Sequence, residues 1–260
     1  MRIYPTLLPQ LPGRVAVTAP TGIAASHVQG QTIHSWAGIG LGKGSVDTVV
    51  SKALGNSGAC DRWRAASVLV IDEVSMLDSH LFSVLDTLGR AARGNSATIH
   101  EPFGGLQLVL CGDFFQLPPV SLGKFGNGFA FQSASWGEAG VRTVELRTIV
   151  RQQGDRAFID LLTPVRVGVC SPATTAALSA CHVDRKALPR DGILPTKLYC
   201  KNANVDAENL RHLNALPGTA VRFVASDQFR GDYSSETEKK LLDLVEKKAA
   251  SELLLKVWEV

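Results

Sequence analysis

The chain of 260 residues is long enough to bury a sizeable core. With 45% hydrophobic and 20% charged residues it reads as an ordinary globular protein, which excludes disordered, collagen-like and small disulfide-scaffold classes. A net charge of +3 admits nucleic acid as a partner without demanding it. The five cysteines (60, 111, 170, 181 and 200) never form C-x-x-C, so neither a zinc site nor a disulfide framework is expected. A reducing, intracellular compartment follows from the same cysteine usage. Residues 1–14 hold no apolar run of signal-peptide length, and a strand beginning near Val15 leaves no room for a transit sequence. The longest uncharged stretch, residues 15–42, is interrupted by Pro20, His27, Gln29, Gln31 and His34, so no membrane partner is expected.

Short apolar runs alternate with helix-length segments, the pattern of an α/β fold with a largely parallel sheet. The first strand, residues 15–19, empties into Pro20-Thr21-Gly22 and a small-residue helix. Backbone N–H groups and a hydroxyl are thereby offered to a phosphate. Taken alone, Thr-Gly is more often a turn, and a single His34 more often structural. Residues 38–45 read G-I-G-L-G-K-G-S, but Lys43 is followed by Gly44, so the run is expected to be a flexible loop rather than a phosphate loop. No G-x-x-x-x-G-K-[ST] occurs anywhere in the 260 residues.

A second strand, residues 68–71, ends in Asp72-Glu73. In a parallel sheet that end faces the ligand crevice, and adjacent residues there diverge. One carboxylate could hold Mg²⁺ while the other deprotonates an attacking water; acids also close buried strands without any metal. Leu77, Leu81, Leu85, Leu88 and Ala92 then recur at helical spacing, with Asp78 and Ser79 available as cap and Gly94 as stop. A third strand, residues 106–111, completes a strand–helix–strand unit. It ends at Gly112-Asp113, with Gln116 on a loop stiffened by Pro118-Pro119. A glutamine there could read a terminal phosphate, or merely cap the loop. Glycine-rich loops are expected at Gly104-Gly105 and over residues 123–128.

Residues 141–215 carry eleven Lys and Arg against seven Asp and Glu, an excess larger than that of the whole chain. A solvated surface and a nucleic-acid face explain this equally well. Phe158, Leu161, Leu162 and Val165 mark a helix that Pro164 should kink or end. Residues 236–256 read as one mixed-charge amphipathic helix with Leu241, Leu244, Val245 and Ala249 on one side.

The order of these blocks resembles the PIF (petite integration frequency) family of superfamily-one DNA helicases. V-T-A-P-T-G-I-A-A is similar to the family's motif Ia, and T-I-H-S-W-A-G-I-G-L-G to the signature that follows it. V-L-V-I-D-E-V-S-M-L-D resembles motif II, P-F-G-G-L-Q-L-V-L-C-G-D-F-F-Q-L-P-P-V motif III, and V-R-Q-Q-G-D-R-A-F-I-D-L-L motif IV. A looser similarity continues through R-D-G-I-L-P-T-K-L-Y-C-K-N-A-N-V to L-N-A-L-P-G.

The resemblance implies a P-loop NTPase (RecA-like) fold: a parallel sheet with flanking helices. It also implies an ATP- and Mg²⁺-dependent motor that moves 5′ to 3′ on single-stranded DNA and opens duplex or forked DNA. Repair, recombination, and telomere or mitochondrial genome maintenance are its implied settings, in nucleus or mitochondrion if the source is eukaryotic. Asp72 would hold Mg²⁺, Glu73 would be the general base, Gln116 would sense the terminal phosphate, and Arg151 would stabilise the transferred phosphoryl group. Thr21, Gly22 and His34 would face the DNA. Val150 stands where an aromatic residue usually precedes the arginine.

The resemblance further implies a helicase clipped on both sides, lacking the phosphate loop and the last motifs. Residues 1–145 would be a partial first RecA-like domain, and residues 146–260 motif IV and the beginning of a second. The strand leading into the phosphate loop is expected beside the one ending at Asp72, and the chain alone is expected not to hydrolyse ATP. A non-catalytic DNA-binding remnant, a truncated gene product and a transposon-encoded helicase stay open beside this reading, as does the oligomeric state.

Overall fold

The computed structural model describes residues 14–94, 98–120, 128–152, 154–182, 196–229, 231, 234–246 and 251–257. The chain divides into two compact units between Thr175 and Ala176. In the first, strands Val15–Ala19 (β1), Gln31–Thr32 (β2), Val68–Ile71 (β3) and Gln107–Leu110 (β4) form a sheet of order β2-β1-β3-β4. Every pairing in it is parallel.

All four residues of β3 are buried, as a strand covered on both faces requires, and its V-L-V-I run has no polar alternation. Leu69 and Ile71 enter the larger core, while Val68 and Val70 meet Cys111 in a smaller one. β3 pairs with β1 from Val15↔Val68 to Thr18↔Ile71 and with β4 from Val68↔Gln107 to Ile71↔Leu110. A strand has two edges, and both of these are taken. The expectation that a phosphate-loop strand lies beside the one ending at Asp72 is therefore corrected. Among the described residues the outer strands are β2 and β4, and Leu108, Val109 and Leu110 of β4 are only half-buried.

Helices Gly22–His27 (α1), Ile33–Ala37 (α2), Val46–Leu54 (α3), Ser57–Ala65 (α4) and Ser79–Arg93 (α5) accompany the sheet, the last four packing into the larger core. Trp63 is fully buried against Trp36, with ring centroids 4.6 Å apart. α5 follows the sequence pattern closely. Asp78 caps it by accepting from the Leu81 N–H at 2.6 Å; Leu85, Leu88 and Ala92 are buried as expected, Leu81 is half-buried with Phe82 beside it fully buried, and the helix stops at Gly94.

Gly89 lies inside α5, where Ala would ordinarily be the better helix former. Here a β-carbon would stand 2.8 Å from the Phe103 carbonyl oxygen, because the short turn Pro102–Gly104 packs directly on the helix. Side chains of α5 strap that turn down. Asp86 accepts from the Phe103 N–H (2.7 Å) and from Ser135 Oγ (2.9 Å). Arg90 donates to Asp86 and to the His100 carbonyl, and Arg93 to the Gly104 carbonyl.

Helices Ala134–Glu138 (α6), Arg156–Arg166 (α7) and Pro172–Ala180 (α8) follow. Pro164 lies within the last turn of α7, which ends two residues later at Arg166. The second unit contains Asn202–Ala215 (α9), Val221–Val224 (β5), Ser235–Glu246 (α10) and Glu252–Leu255 (β6). The single helix expected over residues 236–256 is corrected: it ends at Glu246, and residues 252–255 form a strand antiparallel to β5. Leu253, Leu254 and Leu255 pair there with Phe223, Arg222 and Val221, so cross-strand pairing overrides the high helix propensity of the leucines themselves. Ala249, the loop over residues 121–127 and the R-D-G-I-L-P stretch lie outside the described residues. Among the described residues no helix is long and apolar enough to cross a membrane.

Candidate functional site

A parallel sheet presents all its carboxyl ends at one edge, and the candidate residues leave the strands there. Asp72 follows β3 and its N–H donates to the Thr18 carbonyl at 2.9 Å. Glu73 adopts a left-handed backbone, φ 51° and ψ 44°. For a residue with a β-carbon this costs about 1–2 kcal/mol. The chain then enters a short 3₁₀ turn over Val74–Met76, pinned by the Val74 N–H on the Cys111 carbonyl at 2.9 Å. Both acids are half-buried.

That last bond ties the end of β3 to the end of β4. The two approach so closely that a β-carbon at Gly112 would lie 2.8 Å from the Val74 nitrogen and 3.4 Å from the Glu73 carbonyl carbon. Asp113 follows and organises the next loop. Its carboxylate accepts from the Phe115 N–H (3.0 Å), from Gln116 Nε2 (3.1 Å) and from Arg166 Nη2 (2.7 Å), with Arg166 Nη1 bonded to its other oxygen. The Arg166 hydrogen bonds hold this carboxyl below the usual carboxylate range. Of the paired phenylalanines, Phe114 turns inward against Phe129, Phe131 and Trp136. Phe115 is exposed and carries the Arg166 guanidinium 4.9 Å above its ring.

Thr21 caps α1, its hydroxyl oxygen accepting from the Ala24 N–H at 3.2 Å, which leaves the hydroxyl proton free of the cap. Gly22 is exposed with open space where a β-carbon would be. His34 lies in α2, which follows β2 at the same edge. It is half-buried, and burial lowers its pKa from 6.5 more than nearby Asp78 raises it. The imidazole is thus neutral at pH 7 and offers hydrogen bonds rather than charge. Arg151 stands in an exposed turn after the irregular residues 141–150. The run over residues 38–45 joins one helix to another, and Ser45 caps α3 through the Thr48 N–H. A phosphate loop joins a strand to a helix, so this segment is not one.

Asp72 and Glu73 fit a magnesium–nucleotide by donor chemistry. Mg²⁺ in such sites takes one or two carboxylates, with phosphate oxygens and water completing its shell. Asp113, spent on Arg166 and Gln116, is not a ligand of this kind.

The family described as PIF1-like helicase matches residues 2–176. The chain belongs to this family. It is 41% identical over 234 residues to the ATP-dependent DNA helicase PIF1 of Candida albicans, a match covering 86% of this chain and 25% of that protein. Against the human PIF1 helicase it is 43% identical over 216 residues, covering 83% of this chain and 32% of the relative. The PIF1-like chain thus spans a quarter to a third of the length of these relatives. A crystal structure of the Candida albicans Pif1 helicase superposes with a TM-score of 0.83, covering 97% of this chain and 55% of that one. A Bacteroides Pif1 helicase crystallised with ADP-AlF3 and single-stranded DNA is similar at a TM-score of 0.68 and 25% identity. The four parallel strands and their flanking helices are accordingly part of a RecA-like helicase domain.

In this PIF1-like frame the sheet edge brings Asp72, Glu73 and the Gln116 loop into one neighbourhood, with Thr21, Gly22 and His34 at the adjoining strand ends. Asp113 and Arg166 are additions that the sequence reading did not make. Asp113 was visible as the acid before F-F-Q, but Arg166 was one basic residue among eleven, and its partner lies 53 positions away.

Proposed function

We propose that this chain is the central part of an ATP-dependent DNA helicase that moves 5′ to 3′ on single strands and opens duplex or forked DNA. In this reading residues 1–145 belong to the first RecA-like domain and residues 146–260 begin the second. Asp72 holds Mg²⁺ with ATP bound, and the metal there neutralises developing phosphate charge. Glu73 takes the proton of the attacking water, Gln116 contacts the terminal phosphate, and Arg151 stabilises the transferred phosphoryl group. Thr21 and Gly22 supply donors to the DNA backbone, and His34 adds a neutral hydrogen bond. The work is intracellular, in the nucleus or mitochondrion of a eukaryote.

The observation that carries this reading is the junction of two strand ends. The Glu73 turn is bonded to the end of β4 through Val74 and Cys111, which holds a strained acid beside the Gln116 loop. Strain of that kind is kept where surrounding structure enforces it, and it gathers at reacting sites.

The 260 residues contain no phosphate-loop motif, and Asp72 and Glu73 alone repel a polyphosphate, so by themselves they do not turn ATP over. The test compares the chain alone with the chain joined to a phosphate-loop segment and a complete second domain, using Mg-ATP and saturating single-stranded DNA. Only the joined form should show DNA-stimulated turnover and displace a strand from a 5′-tailed duplex. In it, Glu73→Gln should keep Mg-ATP binding and lower the hydrolysis rate by about 10²- to 10⁴-fold. Near-normal turnover by Glu73→Gln would end the assignment of the base.

A further inference from the structure

Gln116 is exposed, and an exposed glutamine on a loop has many rotamers and two ways round for its amide. Reading a phosphate requires one of them. Asp113 supplies the selection. A carboxylate only accepts, so only the NH₂ end of the Gln116 amide can face it, and the contact is 3.1 Å. One amide proton is thereby engaged, leaving the second proton and Oε1 for other partners. The Asp113 carboxylate is fixed in turn. The Phe115 N–H holds one oxygen from within the loop, and the Arg166 guanidinium grips both oxygens from α7. The guanidinium itself lies on the Phe115 ring, so three side chains of one loop and one arginine of another element form a closed set.

We infer that Asp113 and Arg166 are positioning residues for Gln116: the carboxylate sets which end of the amide meets the nucleotide, and Arg166 locks that carboxylate to the end of α7. The inference rests on the proposed role of Gln116 in ATP hydrolysis. Its physical content is specific. Lysine cannot replace Arg166, because a point charge cannot grip two oxygens in a plane. Asparagine cannot replace Asp113, because an amide offers Gln116 either end and removes the selection. Arg166 belongs to the helix that begins five residues after Arg151, so the loop that reads the phosphate is tied to the element following the proposed arginine.

The experiment is steady-state ATPase kinetics in the helicase carrying this chain with its phosphate-loop segment, saturated with single-stranded DNA. Arg166→Ala and Asp113→Asn should each lower kcat by about 10-fold, with KM for ATP within about twofold, as expected for a misplaced group rather than a lost binding contact. Arg166→Lys should recover less than half of the loss. The deciding measurement repeats Arg166→Ala in a Gln116→Ala background, where kcat should change by less than about twofold because nothing remains to be positioned. An equal loss in both backgrounds would show a merely structural arginine and overturn the inference. Asp113→Asn, which preserves shape, gives the same comparison if Arg166→Ala fails to fold. Glu73→Gln and Gln116→Ala separate the two levels. Should both of them retain turnover, the reading of the site itself falls. If both lower kcat well below wild type, with measurable turnover left, while Arg166→Ala and Asp113→Asn keep wild-type kcat, only the positioning role falls.

Discussion

Glu73 carries a left-handed backbone that only glycine adopts freely, and this separates its chemical role from its structural cost. Replacing it by alanine removes the carboxylate and leaves the strain; replacing it by glycine removes both. The left-handed penalty is about 1–2 kcal/mol for a residue with a β-carbon. Glycine returns about 0.5–1 kcal/mol of that through the greater freedom of its unfolded chain. Glycine should therefore exceed alanine by about 0.5–1 kcal/mol, and in a domain of this size that is a difference of about 1–4 °C in Tm. Thermal unfolding followed by circular dichroism on the 260-residue chain measures it directly. Glu73→Gly should melt above Glu73→Ala and no lower than the wild type, while Glu73→Gln should match the wild type because its backbone is unchanged. Alanine melting at or above glycine would refute the claim that the acid is held under strain.

Gly89→Ala should destabilise by about 1–3 kcal/mol, against its helix propensity, because the new methyl meets the Phe103 carbonyl; chemical denaturation checks the sign. The Arg166 contact depresses the Asp113 carboxyl, so its contribution to stability is present above the unfolded value near 3.9 and is lost as pH falls through the lower folded value. Arg166→Ala should accordingly flatten the acid limb of the stability–pH curve. Glu208, held at about 2 by Lys197, Arg211 and His212, should act in the same direction between its ordinary value of 4.5 and about 2. Its effect should fade in high salt because its three partners are exposed. Affinity for single-stranded DNA should fall steeply with salt and depend little on base sequence, and a shallow slope with strong base preference would contradict backbone contacts as the main attraction.

Much of this was legible because the local and the tertiary signals agree. The V-L-V-I run reads as a strand buried on both faces and is the middle of a parallel sheet. The Asp78 cap and the leucine spacing of α5 are local features that the fold leaves intact. Where signals conflicted, the reading failed. Residues 252–255 lie in helical register with the segment before them, yet three consecutive leucines pair with β5, and only a partner some 30 positions earlier in sequence reveals it. The neighbours of β3 are hidden for a similar reason, since strand order is a property of crossovers and not of any strand's own residues. At the site, Asp72, Glu73 and Gln116 announce themselves by following apolar strands. The left-handed turn at Glu73 does not, because nothing in D-E-V-S-M differs in composition from an ordinary strand exit.

The two halves of the proposed machinery are held by bonds of very different strength. Asp72 and Val74, the neighbours of Glu73 on either side, are fixed to Thr18 and Cys111 through backbone hydrogen bonds at the ends of buried strands, so displacing the acids means disturbing the core. The link from Gln116 to α7 is an ion pair whose arginine side chain is 47% exposed. Surface pairs of that kind contribute about 0.2–1 kcal/mol, and salt weakens them. A nucleotide that makes even one charge-assisted contact with Gln116 or Arg151, at about 1.5–3 kcal/mol, can outweigh it. The acids thus provide a fixed reference, and the Asp113–Arg166 pair is the weaker joint beside it. Between these two, movement driven by nucleotide state would yield first at the Asp113–Arg166 joint.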